Sequence, residues 1–372
     1  MKVCLDIQPA VAQRAGVGRY VKALAERLGR FAAGDDLTLF HFDFRRRGIG
    51  FETPGARVRA VGWAPGRLVQ QAWKRFGAPP YDWFAGRADL YHFPNFIRPP
   101  LARGRSVVTV HDLSFVRFPE AAEPKNLAYL RARMDDTIRR ADAILTDSKT
   151  IAAEIVEHYR VASDRVFAVR LGVEETLARP PAPDIADALR RWGLERPYLL
   201  HVGTIEPRKN IGFLAEVFER LADFDGDLAL AGGLGWRVGP ILERLRRSPR
   251  AARIRQLGHV PDRDLPALYA GASVFVFPSL YEGFGFPPLE AMACETPVVS
   301  APGGSLREVI GDGAELIEGY DAERWAARVR ALLGDREQRA ARIAAGRVCA
   351  ARYRWDDTAR RTWDIYRTVA AA

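Results

Sequence analysis

A chain of 372 residues with 48% hydrophobic and 27% charged side chains is long enough for two hydrophobic cores and too evenly mixed to be fibrous or disordered. No apolar run approaches the roughly 18–20 residues that cross a bilayer, the opening MKVCLDIQPA lacks the apolar core of a secretory leader, and the spacing of Cys4, Cys294 and Cys349 fits neither a metal motif nor a disulfide framework, so a cytoplasmic protein with buried, reduced thiols is expected. The formal charge of +10 lies almost wholly in one half, since residues 1–179 carry 29 Lys and Arg against 20 Asp and Glu while residues 180–372 carry 27 against 26; this suits either an anionic partner for the first half (a phospholipid surface, a lipid phosphate, a nucleic acid) or simply an arginine-rich, soluble chain.

Short apolar runs alternate with amphipathic stretches from the start, the pattern of parallel sheets with crossover helices. VCLDI reads as the first strand. The loop after it carries Gly16 and Gly18 ahead of a helix whose Tyr20, Leu24 and Leu28 repeat at i, i+4 and i+8. Val21 stands where a dinucleotide fingerprint needs its third glycine, which argues against a dehydrogenase. LTLFHF and RVRAV are the next strands. In GRLVQQAWKRF, Leu68, Ala72, Trp73 and Phe76 form an apolar stripe beside Arg67, Lys74 and Arg75. That stripe suits a membrane interface or a helix packed on its own domain. DLYHF, SVVTVHD, AILTDS and RVFAV complete the first set, and His111 falls at the exit of a buried strand, where site residues collect.

The run Arg179-Pro180-Pro181-Ala182-Pro183 is the best linker, because proline blocks helix and ladder pairing alike. The expected division is a first domain over 1–178, a linker over 179–190, a second domain over 191–354, and a last helix over 355–372 packing back on the first domain. In the second half YLLHVG, LALAGG, RIRQLG, VFVFPS and PVVSA are strands. After YLLHVG, Arg208 and Lys209 precede a helix starting near Asn210. Cationic side chains and helix-start amides would there meet one diphosphate. Asp225-Gly226-Asp227 and Asp262-Arg263-Asp264 match the D-x-D of metal-dependent transferases, but read better as a turn and a helix cap. VFVFP then empties into EGFGFPP and the helix LEAMA. Gly283 and Gly285 permit close backbone approach, and Pro287 and Pro288 suit the helix start. The eight-residue spacing and the prolines between them keep Glu282 and Glu290 off a common helix face, one in the loop and one in the first turns.

E-x7-E followed by AMA-x-E-x-PVV resembles the signature of the family-4 retaining glycosyltransferases of GT-B fold, and the likeness extends over nearly the whole chain. It implies two Rossmann-like, doubly wound α/β domains facing across a deep cleft. It also implies that Glu282 contacts the donor sugar, Glu290 the ribose, and the amides of Gly283, Phe284 and Gly285 the sugar and diphosphate. Arg208 and Lys209 take the family's basic positions on the diphosphate. Thr204 departs from the Arg that some members carry there, which leaves more of that task to Arg208. By the same resemblance Val260 would line the nucleotide base, the loop of Gly16 and Gly18 would close over the diphosphate, and His111, in HDLSF, would reach the donor sugar. The resemblance further implies that no metal and no other cofactor is required.

HDLSFVRFPE and VGTIEPRKN look most like bacterial mannosyl- and rhamnosyltransferases of surface-polysaccharide assembly. The expected reaction moves a hexose, best mannose from GDP-mannose, to a growing oligosaccharide or lipid-diphosphate-linked acceptor. The enzyme would work in the cytoplasm or at the inner face of its membrane, with the basic first domain against anionic lipid and no nucleic acid bound. Two alternatives stand beside this. A glycoside hydrolase would use Glu282 and Glu290 as acid and nucleophile, and a basic nucleic-acid-binding protein would explain the charge alone.

Overall fold

The computed structural model describes residues 1–12 and 16–371. They form two compact units. The first comprises Met1–Leu113, Asn126–Gly172 and Arg354–Ala372; the second comprises Ser114–Lys125 and Val173–Tyr353. The chain therefore passes from one unit to the other four times.

In the first unit the strands are β1 (Lys2–Asp6), β2 (Asp36–Phe42), β3 (Arg57–Val61), β4 (Leu90–Phe93), β5 (Arg105–Thr109), β6 (Ala143–Thr146) and β7 (Val166–Ala168). All neighbours run parallel, in the order β3-β2-β1-β4-β5-β6-β7. Val3, Cys4 and Leu5 are all buried, as are all four residues of β4 and of β6. A parallel sheet covered on both faces requires such unbroken apolar runs rather than alternation. The edge strand β3 differs: Arg57, Val58, Arg59 and Ala60 are exposed, and its charges blunt the edge against pairing. Seven strands follow the seven apolar runs of this half.

The helix Val17–Leu28 buries Tyr20, Leu24 and Leu28, the i, i+4, i+8 face read from the sequence. The helix Gly66–Phe76 behaves otherwise. It turns Val69 inward, with Trp73 packed against Phe42, Tyr81 and Phe84 at centroid distances of 6.0, 5.8 and 6.4 Å. Leu68 and Phe76 from the same stripe stay 66% and 72% exposed. The stripe is thus split, because Trp73 lies about 100° around the helix from Ala72 and only one side of it reaches the core.

The second unit holds β8 (Tyr198–Val202), β9 (Asp227–Ala231), β10 (Ile254–Gly258), β11 (Val274–Phe277), β12 (Val298–Ser300) and β13 (Glu315–Leu316). Their order is β10-β9-β8-β11-β12-β13, again parallel throughout. The two-residue β13, half-buried at the edge, has no apolar run to announce it. The helix Ile211–Arg220 seals one face of this sheet with Ile211, Leu214, Val217 and Phe218, all fully buried. Each such side chain contributes about 1.5–3 kcal/mol.

The proline run does not form an extended connection over its whole length. Residues Ala182–Arg191 are helical, with Pro183 in the first turn and Ile185 and Ala188 buried. Proline costs nothing there, since first-turn amides have no helical acceptor. The last helix, Trp355–Ala371, belongs to the first unit and packs on the helix Val17–Leu28 and on β5. It buries Trp355, Trp363, Tyr366 and Val369, and Tyr366 Oη lies 2.5 Å from His92 Nδ1. Cys4, Cys294 and Cys349 are buried free thiols. Among the described residues no helix is long and apolar enough to cross a membrane.

Candidate functional site

In an open parallel sheet, the loops leaving two adjacent central strands diverge where the strand order reverses, and the opening between them admits ligands. In the second unit that point lies between β8 and β11, which pair directly although β9 and β10 intervene in sequence. The two loops leaving them carry Arg208, Lys209 and Glu282.

The loop after β8 turns through a short 3-10 segment, Pro207–Lys209, and a left-handed Asn210 (φ 54°) before the helix Ile211–Arg220. It is tied to the other loop by Leu280 N–H donating to Arg208 O at 2.9 Å. Glu282 then meets both cations. Lys209 Nζ lies 2.5 Å from Glu282 Oε1, and Arg208 Nη1 lies 2.9 Å from Glu282 Oε2. Ser279 Oγ donates to Glu282 Oε1 at 2.5 Å. Arg208 also donates to Tyr281 O at 2.6 Å and pairs with Glu206 at 2.8 Å. Two carboxylates and two cations thus balance in a cluster where Glu206 is 2% exposed and Lys209 and Glu282 are each 8% exposed. Burial alone would raise the Glu282 pKa, but Arg208 and Lys209 overcome it and hold the carboxyl at about 2. Burial and the neighbouring Arg208 charge push Lys209 down, and burial pushes Glu206 up. Beneath the cluster, His201 stacks on Phe277 at 5.4 Å, and burial lowers its pKa to about 4.

Gly304 explains how Glu282 is held from behind. Its φ is +63°, and a Cβ there would lie 2.3 Å from Glu282 O and 2.8 Å from Glu282 N. Only glycine lets the loop after β12 bridge to Glu282, whose carbonyl accepts from Ser305 N–H at 2.8 Å. Gly283, Phe284 and Gly285 are all buried, and Gly285 (φ 109°) leads into the helix Phe286–Ala293 with Pro287 and Pro288 in its first turn. Phe284 packs on Phe286 and Tyr353 at 5.2 and 5.6 Å.

Glu290, on that helix, is 1% exposed and accepts from Tyr269 Oη at 2.8 Å. Val260 is buried just beyond β10. Asp264 does not cap its helix with its side chain; it pairs with Arg191 at 3.0 Å and accepts from Trp192 Nε1 at 3.3 Å. Asp225 pairs with Arg196 and Arg253, and Asp227 opens β9. No group of three or more His, Cys, Asp or Glu placed to hold a metal ion occurs among the described residues.

In the first unit, Gly16 (φ 55°) precedes the helix Val17–Leu28, and Gly18 is buried in its first turn. Residues 13–15 of that Gly-bearing loop lie outside the described residues. His111 follows β5 and uses both ring nitrogens: Nδ1 lies 2.8 Å from Asp147 Oδ2 and Nε2 3.0 Å from Pro94 O. Tyr20 and Phe96 pack edge-on against its ring at 5.1 and 5.6 Å. Burial would depress the imidazole pKa, yet two acceptors and the Asp147 charge raise it. The sequence reading passed over Asp147, Glu206, Ser279, Tyr269 and Gly304. Asp147 had a signal, since AILTDS ends in polar residues at a strand exit; Glu206 and Ser279 act on near neighbours, Arg208 and Glu282, while Tyr269 and Gly304 show their role only through pairing distant in sequence.

The hydrolase alternative fits this geometry poorly. A general acid must keep its proton near neutral pH, whereas Glu282 is held ionised and Glu290 is enclosed against Tyr269.

The model of Glycosyltransferase Family 4 matches residues 14–177, and that of Glycosyl transferases group 1 matches residues 187–348. The chain is 31% identical to O-antigen chain mannosyltransferase B of Escherichia coli, over 99% of this chain and 100% of that one. Sucrose-phosphate synthase from Thermosynechococcus elongatus shares the fold with a TM-score of 0.76 at 21% identity, covering 100% of this chain and 99% of that one. Anabaena HepE in complex with UDP-glucose shares it with a TM-score of 0.72 at 18% identity, covering 100% of both.

Proposed function

The chain belongs to the family-4 glycosyltransferases of GT-B fold, and from that premise we propose that it transfers mannose from GDP-mannose to a growing, lipid-diphosphate-linked glycan with retention of anomeric configuration. The observation that carries this reading is the cluster of Arg208, Lys209 and Glu282 at the point where the strand order of the second sheet reverses. Mannose is favoured by the full-length likeness to a protein named as an O-antigen chain mannosyltransferase.

As the donor's anomeric carbon gains oxocarbenium character, negative charge gathers on the departing diphosphate. Arg208, Lys209 and the helix-start amides of residues 286–293 stabilise that charge without a metal ion. Each charge-assisted hydrogen bond contributes roughly 1.5–3 kcal/mol. Glu282 is already ionised and orients sugar hydroxyls rather than delivering a proton. The leaving phosphate assists deprotonation of the acceptor on the same face.

A thermal-shift screen against GDP, UDP, ADP and dTDP sugars tests the donor, because a ligand that binds only the folded protein raises its melting temperature. GDP-mannose is expected to give the largest shift, and Lys209→Ala or Glu290→Ala to reduce it. A larger shift with another nucleotide sugar overturns the donor assignment, and unchanged affinity in both variants overturns the site. The anomeric coupling of the product, read by NMR, decides retention.

A further inference from the structure

The second unit contains a hollow of about 660 Å³ that the proposed reaction does not use. Its place follows from chain order. Ala270–Ser273 line it and lead directly into β11, and Glu295 lines it just ahead of β12. It therefore opens at the amino ends of these strands, whereas Glu282 follows the carboxyl end of β11. With four residues in β11, about 13 Å of strand lies between the two ends. The volume is that of a small-ligand pocket, too little for a macromolecular partner or a long lipid chain.

Its apolar lining is Ile185 and Leu189 of the helix Ala182–Arg191 and Ile343 of the helix Arg336–Ala350. Its cations are Arg179 and Arg339. Arg179 Nη1 donates to Ala270 O at 3.0 Å, and Arg339 Nη1 donates to Ser273 O. Neither guanidinium has an acidic partner among the described residues, so Nε and Nη2 of both remain to be satisfied. Two other arginines of the helix Arg336–Ala350 are placed differently: Arg342 pairs with Glu315 at 3.0 Å, and Arg347 pairs with Glu295 at 3.3 Å. Glu295 is the acid of the lining, and Arg347 offsets its charge. Burial, and then the charge of Arg179, lower the Arg339 pKa, so the two cations are near enough to repel one another. An oxyanion accepting from both relieves that repulsion, and the planar fork of arginine suits a phosphate. Inorganic phosphate alone would leave Ile185, Leu189 and Ile343 against water.

We propose that this hollow binds a small organic phosphate monoester, with the phosphate on Arg179 and Arg339 and the apolar body against Ile185, Leu189 and Ile343. The site is separate from the cluster of Arg208, Lys209 and Glu282, and it stands whether or not GDP-mannose is the donor.

The test is calorimetric titration of the full chain with phenyl phosphate, inorganic phosphate and phenol. Phenyl phosphate has both the charged head and the apolar body, so it is expected to bind at least roughly tenfold more tightly than either fragment. Arg179→Gln/Arg339→Gln is expected to weaken phenyl phosphate binding by roughly tenfold or more. Ala186→Trp is expected to abolish it, because the indole fills the hollow from an exposed helix position while both charges stay. Lys209→Ala is expected to leave it unchanged, since that cation lies at the other end of the sheet. Circular dichroism checks the fold of each variant, and if loss of the Arg339–Ser273 tie unfolds the double variant, Arg179→Gln and Ala186→Trp carry the test. The proposal is overturned if phenyl phosphate does not bind, or binds no more tightly than inorganic phosphate or phenol. It is equally overturned if Ala186→Trp binds it as well as the unaltered chain, or if Lys209→Ala abolishes binding that Arg179→Gln retains.

Discussion

Replacing Glu282 by Gln removes one charge from a cluster that balances two cations against two carboxylates. The loss can be sized from the carboxyl itself. Its pKa is about 2 in the folded protein against an ordinary 4.5, and the difference corresponds to about 3 kcal/mol of stability at neutral pH. Breaking a buried ion pair from one side costs a similar ~3–5 kcal/mol, because the abandoned charges stay buried. The sign follows from the depressed pKa: the contribution is complete above about pH 4.5 and disappears as pH falls toward 2. Hydrogen exchange at β8 and β11 isolates the second unit from the first. Amides there are expected to lose two to three orders of magnitude of protection at pH 7 in Glu282→Gln. The double variant Lys209→Met/Glu282→Gln should recover part of it, because one stranded cation goes with the carboxylate. If protection in Glu282→Gln stays within about tenfold of the parent, the charge balance does not hold the two loops together and the electrostatic account of the site fails.

Asp147→Asn leaves His111 buried without its counter-ion, so the imidazole pKa should drop from above its ordinary 6.5 to below it. The stabilisation from a raised His pKa is present below about 6.5 and lost as pH rises through the folded value. The variant removes that limb, and NMR titration of the His111 ring with an unchanged midpoint would contradict the pairing. His201 runs the opposite way. Its folded pKa of about 4 lies below that of the unfolded chain, which therefore takes up the extra proton as pH falls from about 6.5. Roughly 2 kcal/mol should be lost by pH 5, seen in urea melts as a pH slope that His201→Gln reduces. Gly304→Ala forces a Cβ into the Glu282 backbone at a left-handed φ. Both the steric and the conformational penalty point to more than about 2 kcal/mol, which a thermal melt would register.

The alternation of apolar runs and amphipathic stretches was enough to place the strands, because parallel sheets bury both faces and leave unbroken Val-, Leu- and Phe-rich segments. It could not reveal β13, whose Glu315 and Leu316 are half-buried and too short to make a run. Pro183 was misleading for a physical reason: proline opens a helix as readily as it breaks one. At the site, glycine and proline punctuation located the loops carrying Glu282 and Arg208. What those side chains do to one another was hidden, since Lys209 and Glu282 are 73 residues apart. A basic turn read alone looks ready for phosphate, and nothing local shows that a carboxylate from another strand already engages it. His111 and Asp147 are separated by 36 residues and pair for the same reason, as neighbours at the ends of adjacent strands β5 and β6.

The placement of the last helix has a bearing on synthesis. Trp363 and Tyr366 complete the core of the first unit, and Tyr366 closes over His92 of β4. The second unit ends at Tyr353, before that helix begins. The earlier-encoded unit therefore depends on a segment made after the whole of the second unit, and its apolar groove stays uncovered until Trp355–Ala371 is available. A chain truncated after Tyr353 would keep all of the second unit while leaving the first unit open to chaperones and proteases.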